Sequence, residues 1–463
     1  MSARRLVGAA IAIIGLATSI PADGQQPVET LKVPVFGTVT VYRGTAPPRQ
    51  VVLFISGDGG WNLGVIDMAQ RLRGALVVGI DILAFTKSLE ASNSCAYPAG
   101  PLEELSRAIQ RRYGLAAYVP PILVGYSSGA TLVYAALTAA PPETFAGAIS
   151  LGFCPDLEIQ RPLCHMRGLT TAKRLKGVGY DLLPYPKSTV PWMVLQGEVD
   201  QVCNADTTRS FVDQTGTARV FSLPQVGHGF GVPARWASQF LQAYRAIADA
   251  RATTDVPRAT APAVADLSLV EVRPQGPTGS TMAIILSGDG GWAAIDKSLA
   301  RGLAAAGIPV VGWSSLAYYW KARTPDGAAA DLGRIIAHYT RVWGAARVLV
   351  VGYSFGADVA PFLVNRVSPA LKGTVAGVAL LGPSDNATFE FHVSDWFGGQ
   401  AAPANPTAPE IAKIDVPVTC ISAEDEPGSV CRKVASGNIR AVSLGQGHHF
   451  SGEYSQIVSA ILR

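Results

Sequence analysis

The sequence predicts two tandem α/β domains, each with a mostly parallel sheet flanked by helices. The hexapeptide SGDGGW occurs at 56–61 and again at 287–292, each time after an apolar, strand-like run. Further strand-like runs repeat in the same order, and every offset between partners lies between 220 and 233 residues. The runs are short, continuous and rich in Val, Ile and Leu, which is typical of strands buried on both faces of a parallel sheet. So regular a repeat indicates a duplicated domain.

The remaining elements follow in chain order within each copy. The paired strand-like runs are 76–81 with 309–314, 122–130 with 348–357, 147–152 with 377–382, 192–200 with 417–425, and 219–230 with 440–450. Segments of helical period lie between or after them, at 101–114, 233–249, 326–344 and 453–463. Alternation of strand and helix predicts an open sheet covered by helices on both faces.

The duplication divides the chain. Residues 25–250 and 266–463 are predicted as the two domains, and the Ala-, Thr- and Pro-rich stretch 251–265 as their linker. Residues 1–24 are predicted as a cleaved signal peptide, because two arginines precede a 15-residue apolar run that is short for a membrane span. Export to the periplasm is the resulting expectation.

Composition excludes several classes of protein. With 463 residues, 48% hydrophobic and 16% charged, the chain is globular rather than disordered. A net charge of +4 without a basic run gives no reason to expect a nucleic acid partner.

The six cysteines fit an oxidising compartment. Cys420 and Cys431 are 11 residues apart and are predicted to form a disulfide, whereas Cys95, Cys154, Cys164 and Cys203 allow three pairings. The Cys and His spacings do not resemble a zinc site, so we expect neither a metal nor another cofactor.

Two pentapeptides of the form G-x-S-x-G mark candidate nucleophiles. GYSSG at 125–129 and GYSFG at 352–356 each follow an apolar strand and open an apolar helix, which is the setting of a nucleophile elbow. Ser127 and Ser354 are therefore the predicted nucleophiles. His228 and His448 are the predicted bases, and His448 is favoured over its neighbour His449 because the pattern G-H-x-F is shared with the first copy.

The third member of each constellation is predicted to be an acid. It should lie just past the strand that comes before the histidine strand. Asp200 is predicted in the first copy, with Glu198 as the alternative. In the second copy strict register favours Glu426 and side-chain length favours Asp425, while Glu424 is the third carboxylate of this loop. The chain order of serine, acid and histidine is that of α/β-hydrolases, and it predicts two α/β-hydrolase-like domains.

The repeated SGDGGW loop is placed to stabilise a developing oxyanion. In this fold the loop after the third strand and the residue after the nucleophile donate backbone N–H groups to the oxyanion. The predicted donors are Asp58, Gly59 and Ser128 in the first copy, and Asp289, Gly290 and Phe355 in the second. Trp61 and Trp292 are predicted as core or pocket wall.

With these motifs in place, the second copy resembles the bacterial VirJ/AcvB virulence protein family. The segments GYSFGADVAPF (352–362), SLAYYWKARTPD (315–326) and FEFHVSDWF (389–397) are similar to its signature segments. The first copy matches more loosely, and the two-copy layout with a signal resembles the longer AcvB type. The acid loop departs from the pattern, because Ala423 stands where the first copy has Gly197.

The resemblance implies an exported serine hydrolase that cleaves the aminoacyl ester of lysyl-phosphatidylglycerol at a membrane surface, and an association with type IV secretion. A lysyl group carries two amines, so carboxylates beside the pocket are expected to bind it. Asp289, Asp358 and Asp395 are candidates, each with a capping or solvated role as the alternative, and Trp320 is a candidate for the pocket rim or a buried aromatic cluster.

Two other functions fit the sequence less well, namely a general periplasmic esterase and an envelope or secretion-associated binding scaffold.

The interval from serine to histidine is longer in the first copy, and the extra residues around 154–169 fall where such domains carry a lid. We therefore expect the copies to share their chemistry but not their pocket, with lipid-ester cleavage in the second copy.

Overall fold

Two large sheets organise the chain. The computed structural model describes residues 28–44, 47–91, 95–166, 168–252, 261–390, 405–426, 428–452 and 454–463. The predicted signal peptide and residues 253–260 of the predicted linker lie outside these ranges.

The first sheet has eight strands. They are β1 (Val28–Val33), β2 (Gly37–Tyr42), β3 (Gln50–Ile55), β4 (Ala75–Ile80), β5 (Ile122–Tyr126), β6 (Gly147–Leu151), β10 (Trp192–Gly197) and β11 (Ala218–Leu223). Their order is β1-β2-β4-β3-β5-β6-β10-β11. The first three strands pair antiparallel and all the others parallel, so the carboxyl ends of the parallel strands meet at one edge.

Helices cover both faces of this sheet. They are α1 (Leu63–Gln70), α2 (Ile82–Glu90), α3 (Ala99–Arg112), α4 (Ser128–Ala139), α5 (Ala205–Asp213) and α6 (Ala237–Ala252). The two faces of strand β3 pack into different parts of the core. Val51, Leu53 and Ile55 pack on one face, while Val52 and Phe54 pack on the other. A strand covered on both sides reads as a continuous apolar run, which explains the pattern in the sequence.

The first domain has an excursion between β6 and β10. It contains a small antiparallel sheet of β7 (Asp156–Leu157), β8 (Thr171–Lys173) and β9 (Tyr180–Leu182), in the order β7-β9-β8. The disulfides Cys95–Cys164 and Cys154–Cys203 tie this excursion to the rest of the domain. The extra residues expected around 154–169 therefore form a braced hairpin region.

The second sheet repeats the first with one strand fewer. Its strands are β12 (Leu269–Val272), β13 (Thr281–Leu286), β14 (Val310–Trp313), β15 (Arg347–Tyr353), β16 (Val375–Leu381), β19 (Val418–Ser422) and β20 (Ile439–Ser443). The order is β12-β14-β13-β15-β16-β19-β20, which matches the first sheet from β2 onward. Two short strands, β17 (Asn386–Ala387) and β18 (Asn405–Pro406), pair with each other outside it.

Eight helices accompany the second sheet in the described ranges. They are α7 (Ala294–Ala305), α8 (Ser315–Tyr318), α9 (Pro325–Trp343), α10 (Phe355–Arg366), α11 (Pro369–Lys372), α12 (Thr407–Ile411), α13 (Val430–Val434) and α14 (Tyr454–Ile461). In the longest helix, α9, a side-chain cap sets the start and a glycine sets the end. Thr324 Oγ1 accepts a hydrogen bond from the Gly327 N–H at its start, and Gly344 ends it with a φ of 66°.

Within the part of the chain that the structure describes, none of the helices is long and apolar enough to cross a membrane.

Helix α3 joins the two domains. The Trp320 Nε1–H donates to the carbonyl oxygen of Leu115 at 2.7 Å, and the Trp320 ring lies 5.6 Å from that of Tyr118. Arg111 donates to the Trp320 carbonyl and pairs with Glu390. Trp320, the last residue of the aromatic run at 318–320, therefore lies in the interface between the domains.

Candidate active sites

Each predicted nucleophile lies in the sharp turn between a buried strand and a helix. Ser127 follows β5 and Ser354 follows β15, with φ, ψ angles of 55°, −125° and 52°, −119°. A positive φ is unfavourable for residues other than glycine and persists where the surrounding structure enforces it. The turn places both serines at the carboxyl edge of their sheets, as the motif predicts.

The glycines of the motif make this turn possible. A Cβ on Gly125 would lie 2.1 Å from the Gly129 carbonyl oxygen, and one on Gly129 would lie 2.3 Å from that of Ser56. In the second domain a Cβ on Gly352 would lie 2.4 Å from the Gly356 carbonyl oxygen. A larger residue at these positions would push the serine out of place.

The first domain has a complete serine–histidine–acid constellation. Ser127 Oγ lies 2.9 Å from His228 Nε2, and His228 Nδ1 lies 2.9 Å from Asp200 Oδ2. The Asp200 side chain is fully buried, and its other oxygen accepts the N–H groups of Val202 and Cys203. A carboxylate can only accept, so Nδ1 carries the proton and Nε2 can take one from the serine. The alternative acid, Glu198, is exposed.

The second constellation is more open. Ser354 Oγ lies 2.7 Å from His448 Nε2, but the carboxylate facing His448 Nδ1 is Glu426, at 4.0 Å. Asp425 accepts the Gly447 N–H at 2.8 Å instead. Glu426 is therefore the better placed of the two acids that the sequence left open. The side chains of His448 and Glu426 are 46% and 37% exposed, so a bound substrate has room to tighten this contact.

The neighbouring histidine has a different partner. His449 Nδ1 lies 3.2 Å from the Tyr353 hydroxyl, and burial lowers the pKa of His449, with the nearby His448 adding to the effect. Glu424, the third acid of the loop, is exposed and hydrogen-bonds through its backbone N–H to Gly445. The geometry thus separates these residues from Ser354.

Sequence reasoning missed the tyrosine that precedes each nucleophile. The Tyr126 hydroxyl donates to the His228 carbonyl oxygen at 3.0 Å, and the Tyr353 hydroxyl lies 3.2 Å from the His448 carbonyl oxygen. Each tyrosine therefore holds the histidine loop over the serine turn. The signal was present, because tyrosine occupies the same place in both G-x-S-x-G motifs.

The SGDGGW loops lie directly against the nucleophiles. A Cβ on Gly57 would approach Ser127 Cβ to 2.9 Å, and one on Gly288 would approach Ser354 Cβ to 3.5 Å. The next two residues of each loop are the predicted oxyanion donors, namely Asp58 with Gly59 and Asp289 with Gly290.

The remaining predicted donors, Ser128 and Phe355, are the first residues of α4 and α10. Their N–H groups lie outside the hydrogen-bond ladder of the helix. This position, one residue beyond the nucleophile, is the one an oxyanion donor requires.

The loop tryptophans have a structural role. A Cβ on Gly79 would lie 2.0 Å from the Trp61 ring, and one on Gly312 would lie 2.3 Å from the Trp292 ring. Each indole thus rests on a bare glycine of the neighbouring strand and fixes the end of its loop.

The loop aspartates are held differently in the two domains. Asp58 accepts a hydrogen bond from Ser128 Oγ in its own domain. In the second domain Phe355 replaces that serine, and Asp289 Oδ2 instead accepts from Arg107 Nη1 of helix α3 at 2.8 Å. Desolvation by the surrounding protein raises the pKa of Asp289, but the charge and hydrogen bond of Arg107 outweigh this effect and leave that pKa below its ordinary value.

Like Asp289, the other two described candidates for substrate binding have structural partners. Asp358 accepts from the Ser384 N–H at 2.6 Å and from Ser384 Oγ at 2.8 Å, and burial raises its pKa to about 7 against the effect of these bonds. Trp320 is only 3% exposed and lies in the domain interface. Its assignment to a substrate-facing rim is corrected, because both its ring and its N–H are occupied there. Asp395 lies outside the described residues.

One group of side chains has the donor types of a metal site. Ligand atoms of Asp200, Cys203 and His228 lie within 4.8 Å of one another. However, Cys203 Sγ is bonded to Cys154, and Asp200 is hydrogen-bonded to His228. The disulfide and the serine–histidine–acid constellation explain this grouping without an ion.

All six cysteines are paired. The Cys420–Cys431 disulfide predicted from the sequence is present, and the other four form Cys95–Cys164 and Cys154–Cys203. Three disulfides fit an exported protein.

Comparison with solved structures finds esterases and other hydrolases. The chain is similar to the esterase domain of a Rhodothermus marinus protein (17% identity, TM-score 0.33, 48% of this chain and 98% of that chain covered). It is also similar to Est1E from Butyrivibrio proteoclasticus (11%, 0.33, 48% and 99%) and to dienelactone hydrolase from Anabaena variabilis ATCC 29413 (16%, 0.34, 48% and 97%). No curated protein matches the sequence.

The strand order, the two elbows and the order of serine, acid and histidine identify the fold of both domains as that of α/β-hydrolases. The family described as bacterial virulence protein (VirJ) matches residues 49–150 and 280–463, which together make up more than half of the chain. The chain therefore belongs to the VirJ family, with matched regions in both copies.

Proposed function

We propose that the protein is an exported serine hydrolase that cleaves the aminoacyl ester of lysyl-phosphatidylglycerol, with Ser354 as the nucleophile. The main support for this proposal is the contact of Ser354 Oγ with His448 Nε2 at 2.7 Å, beside the SGDGGW loop. A serine, an imidazole and aligned backbone donors are the parts that acyl transfer from an ester requires.

The reaction follows from these positions. Ser354 Oγ attacks the ester carbonyl while His448 Nε2 takes the hydroxyl proton, and Glu426 stabilises the resulting imidazolium. The N–H groups of Phe355 and of the loop residues Asp289 and Gly290 would donate to the developing oxyanion. The proton then passes to the glycerol oxygen, and phosphatidylglycerol leaves. Water, activated by His448, attacks the lysyl-serine ester, releases lysine and restores the hydroxyl.

Acidic lining supports a cationic acyl group at this site. A cleft of about 410 Å³ beside His448 is lined by Glu426 and Asp385, together with Ser384. Asp385 is exposed and forms an ion pair with Lys433 at 2.8 Å, so a substrate ammonium group would exchange with Lys433 at this carboxylate. A lysyl group carries two ammonium groups, and a cleft with carboxylates would attract them more than a neutral acyl chain.

The first domain supports a second activity of the same class. Ser127, His228 and Asp200 form a complete constellation, so a scaffold role alone does not explain their alignment. We propose that this site acts on a different acyl group or presents lipid to the second domain.

Purified protein incubated with lysyl-phosphatidylglycerol, alanyl-phosphatidylglycerol and a neutral soluble ester tests the proposal. We expect release of free amino acid fastest from the lysyl lipid. A fluorophosphonate probe should label Ser354. Cleavage of the soluble ester without release of lysine would leave a general esterase, and failure of active protein to react with the probe would exclude a nucleophilic serine.

A further inference from the structure

The carboxyl edge of the first sheet carries large aliphatic side chains that face solvent. They lie in the segments that follow β3, β4, β6 and β10, and they are Leu63, Leu83, Leu175, Val178, Val199 and Val202. Single exposed aliphatic residues are ordinary on protein surfaces. Here they come from separate segments at the same edge that presents Ser127 and His228, which indicates an apolar surface around the first site.

The second domain has the same fold but not this surface. Among its described residues, the large aliphatic side chains that are exposed are Val342 and Leu462, near the ends of α9 and α14. Both helices return toward the amino edge of the sheet, away from Ser354. In the acid loop, Asp425 of the second copy stands where the first copy has Val199. The apolar edge is therefore a feature of the first domain and not a requirement of the fold.

The turn between β8 and β9 is the most prominent part of this surface. The Leu175 side chain is fully exposed at 101%, and Val178 is 57% exposed. Lys173 and Lys176 flank Leu175, are exposed, and make no ion pair with the described residues. The tip thus combines protruding aliphatic groups with positive charge.

The base of this hairpin is firmly held. Leu157 and Leu182 are buried in the domain core. Arg174 pairs with Asp156 at 2.9 Å, and it lies 3.7 Å from Asp181 and 3.9 Å from Glu158, whose side chain is 82% exposed. The anchored base presents the tip to solvent, with Leu175 fully exposed.

We propose that this hairpin tip and the apolar edge dock the protein on the surface of an anionic phospholipid bilayer. Leu175 and Val178 would enter the boundary between headgroups and acyl chains, and Lys173 and Lys176 would contact lipid phosphates. Lysine is depleted in protein interfaces but favoured at anionic membranes, so the charge at the tip favours a bilayer over a protein partner. Docking in this orientation turns the Ser127 edge toward the lipid. This inference goes beyond the proposed hydrolysis and does not depend on it.

Cosedimentation with vesicles tests the docking surface in the full-length exported chain. The vesicles contain phosphatidylglycerol or phosphatidylcholine and no aminoacyl lipid, so binding is measured without catalysis. We expect the wild type to prefer phosphatidylglycerol vesicles. Leu175→Asp/Val178→Asp should weaken that binding about tenfold or more, since both aliphatic contacts are lost. Lys173→Glu/Lys176→Glu should remove the preference for the anionic lipid, as added salt should for the wild type.

Val342→Asp is the matched control, because it changes a 52% exposed valine outside the proposed surface. It should bind as the wild type does, and the thermal unfolding of all variants should show that they are folded. Vesicle binding by the hairpin variants equal to that of Val342→Asp would overturn the proposal, as would a wild type that binds no phosphatidylglycerol vesicles. Self-association without vesicles that Leu175→Asp/Val178→Asp abolishes would make a second copy the occupant and would also overturn it.

Discussion

Arg107 Nη1 of the first domain lies 2.8 Å from Asp289 Oδ2 in the SGDGGW loop of the second. The Arg107 side chain is only 12% exposed and also binds Glu103 at 2.5 Å. In the first domain the equivalent loop is held by Ser128, but the second has Phe355 at that position. The predicted oxyanion loop of the second site is therefore held by a side chain of the first domain.

Replacement of Arg107 should impair the second site. In an Ser127→Ala background, Arg107→Ala should lower kcat on the lysyl lipid about tenfold with a smaller change in KM, since loosened backbone donors act mainly on the transition state. Arg107→Lys should restore part of the loss. Arg112→Ala changes an exposed arginine of the same helix and serves as control. Equal kinetics for Arg107→Ala and Arg112→Ala would contradict this role.

The acid of the second site can be assigned by paired amides. Glu426 faces His448 Nδ1, whereas Asp425 binds the Gly447 N–H. In the same Ser127→Ala background, Glu426→Gln should lower kcat by roughly 10²-fold or more, because the imidazole loses its orienting charge. Asp425→Asn should cost much less, since an amide oxygen can still accept from Gly447. The reverse ranking would make Asp425 the acid.

A buried carboxylate under the second site should make stability depend on pH. Asp296 is fully buried, and its Oδ1 has no hydrogen-bond partner among the described residues, while its other oxygen accepts the Ala293 N–H. Burial raises the pKa of Asp296 to about 7 against the effect of that hydrogen bond. Between pH 4 and 7 the native state therefore keeps a proton that the unfolded chain releases, and stability falls as pH rises through this window.

Asp296→Asn should remove this dependence. From pH 4 to pH 7 the free energy of unfolding of the wild type should fall, relative to that of Asp296→Asn, by an amount on the order of 4 kcal/mol. Chemical denaturation at both pH values measures it. Asp326→Asn, at an 89% exposed carboxylate, is the control and should track the wild type. A constant difference between Asp296→Asn and wild type across this range would show that Asp296 is ionised in the folded protein.

The disulfides should contribute unequally to stability. Cys95–Cys164 closes a separation of 69 residues and Cys420–Cys431 one of 11. By loop entropy, replacing both cysteines with alanine should cost about 4 kcal/mol for the first bridge and about 3 kcal/mol for the second. Peptide mapping of non-reduced protein checks the pairing, and denaturation checks the cost. Free thiols at these positions in protein purified without reductant would contradict the pairing and the predicted cost.

Local patterns were enough to predict much of the fold and of the candidate sites. The G-x-S-x-G motifs set the turns at Ser127 and Ser354, because only glycine fits beside the neighbouring backbone. The buried strands read as continuous apolar runs, and the histidine positions followed from a repeat. Each of these features depends on neighbours in sequence or on a register shared by both copies.

The features that could not be predicted depend on residues that are far apart in the sequence. Arg107 and Asp289 are 182 positions apart, and neither is unusual in its own segment. The role of Trp320 changed because the first domain covers it, which the pattern YYW cannot indicate. The choice between Asp425 and Glu426 required the distance to His448, since both lie in one short loop.

Comparison of the serine variants decides which domain cleaves the lipid ester. Free lysine released from lysyl-phosphatidylglycerol vesicles is measured for the wild type, Ser127→Ala, Ser354→Ala and the double variant. We predict that Ser354→Ala lowers turnover about 10³-fold or more, as loss of a triad nucleophile does, while Ser127→Ala keeps at least a tenth of the wild-type rate. Full activity in Ser354→Ala together with loss in Ser127→Ala would contradict the account and place the lipid esterase in the first domain.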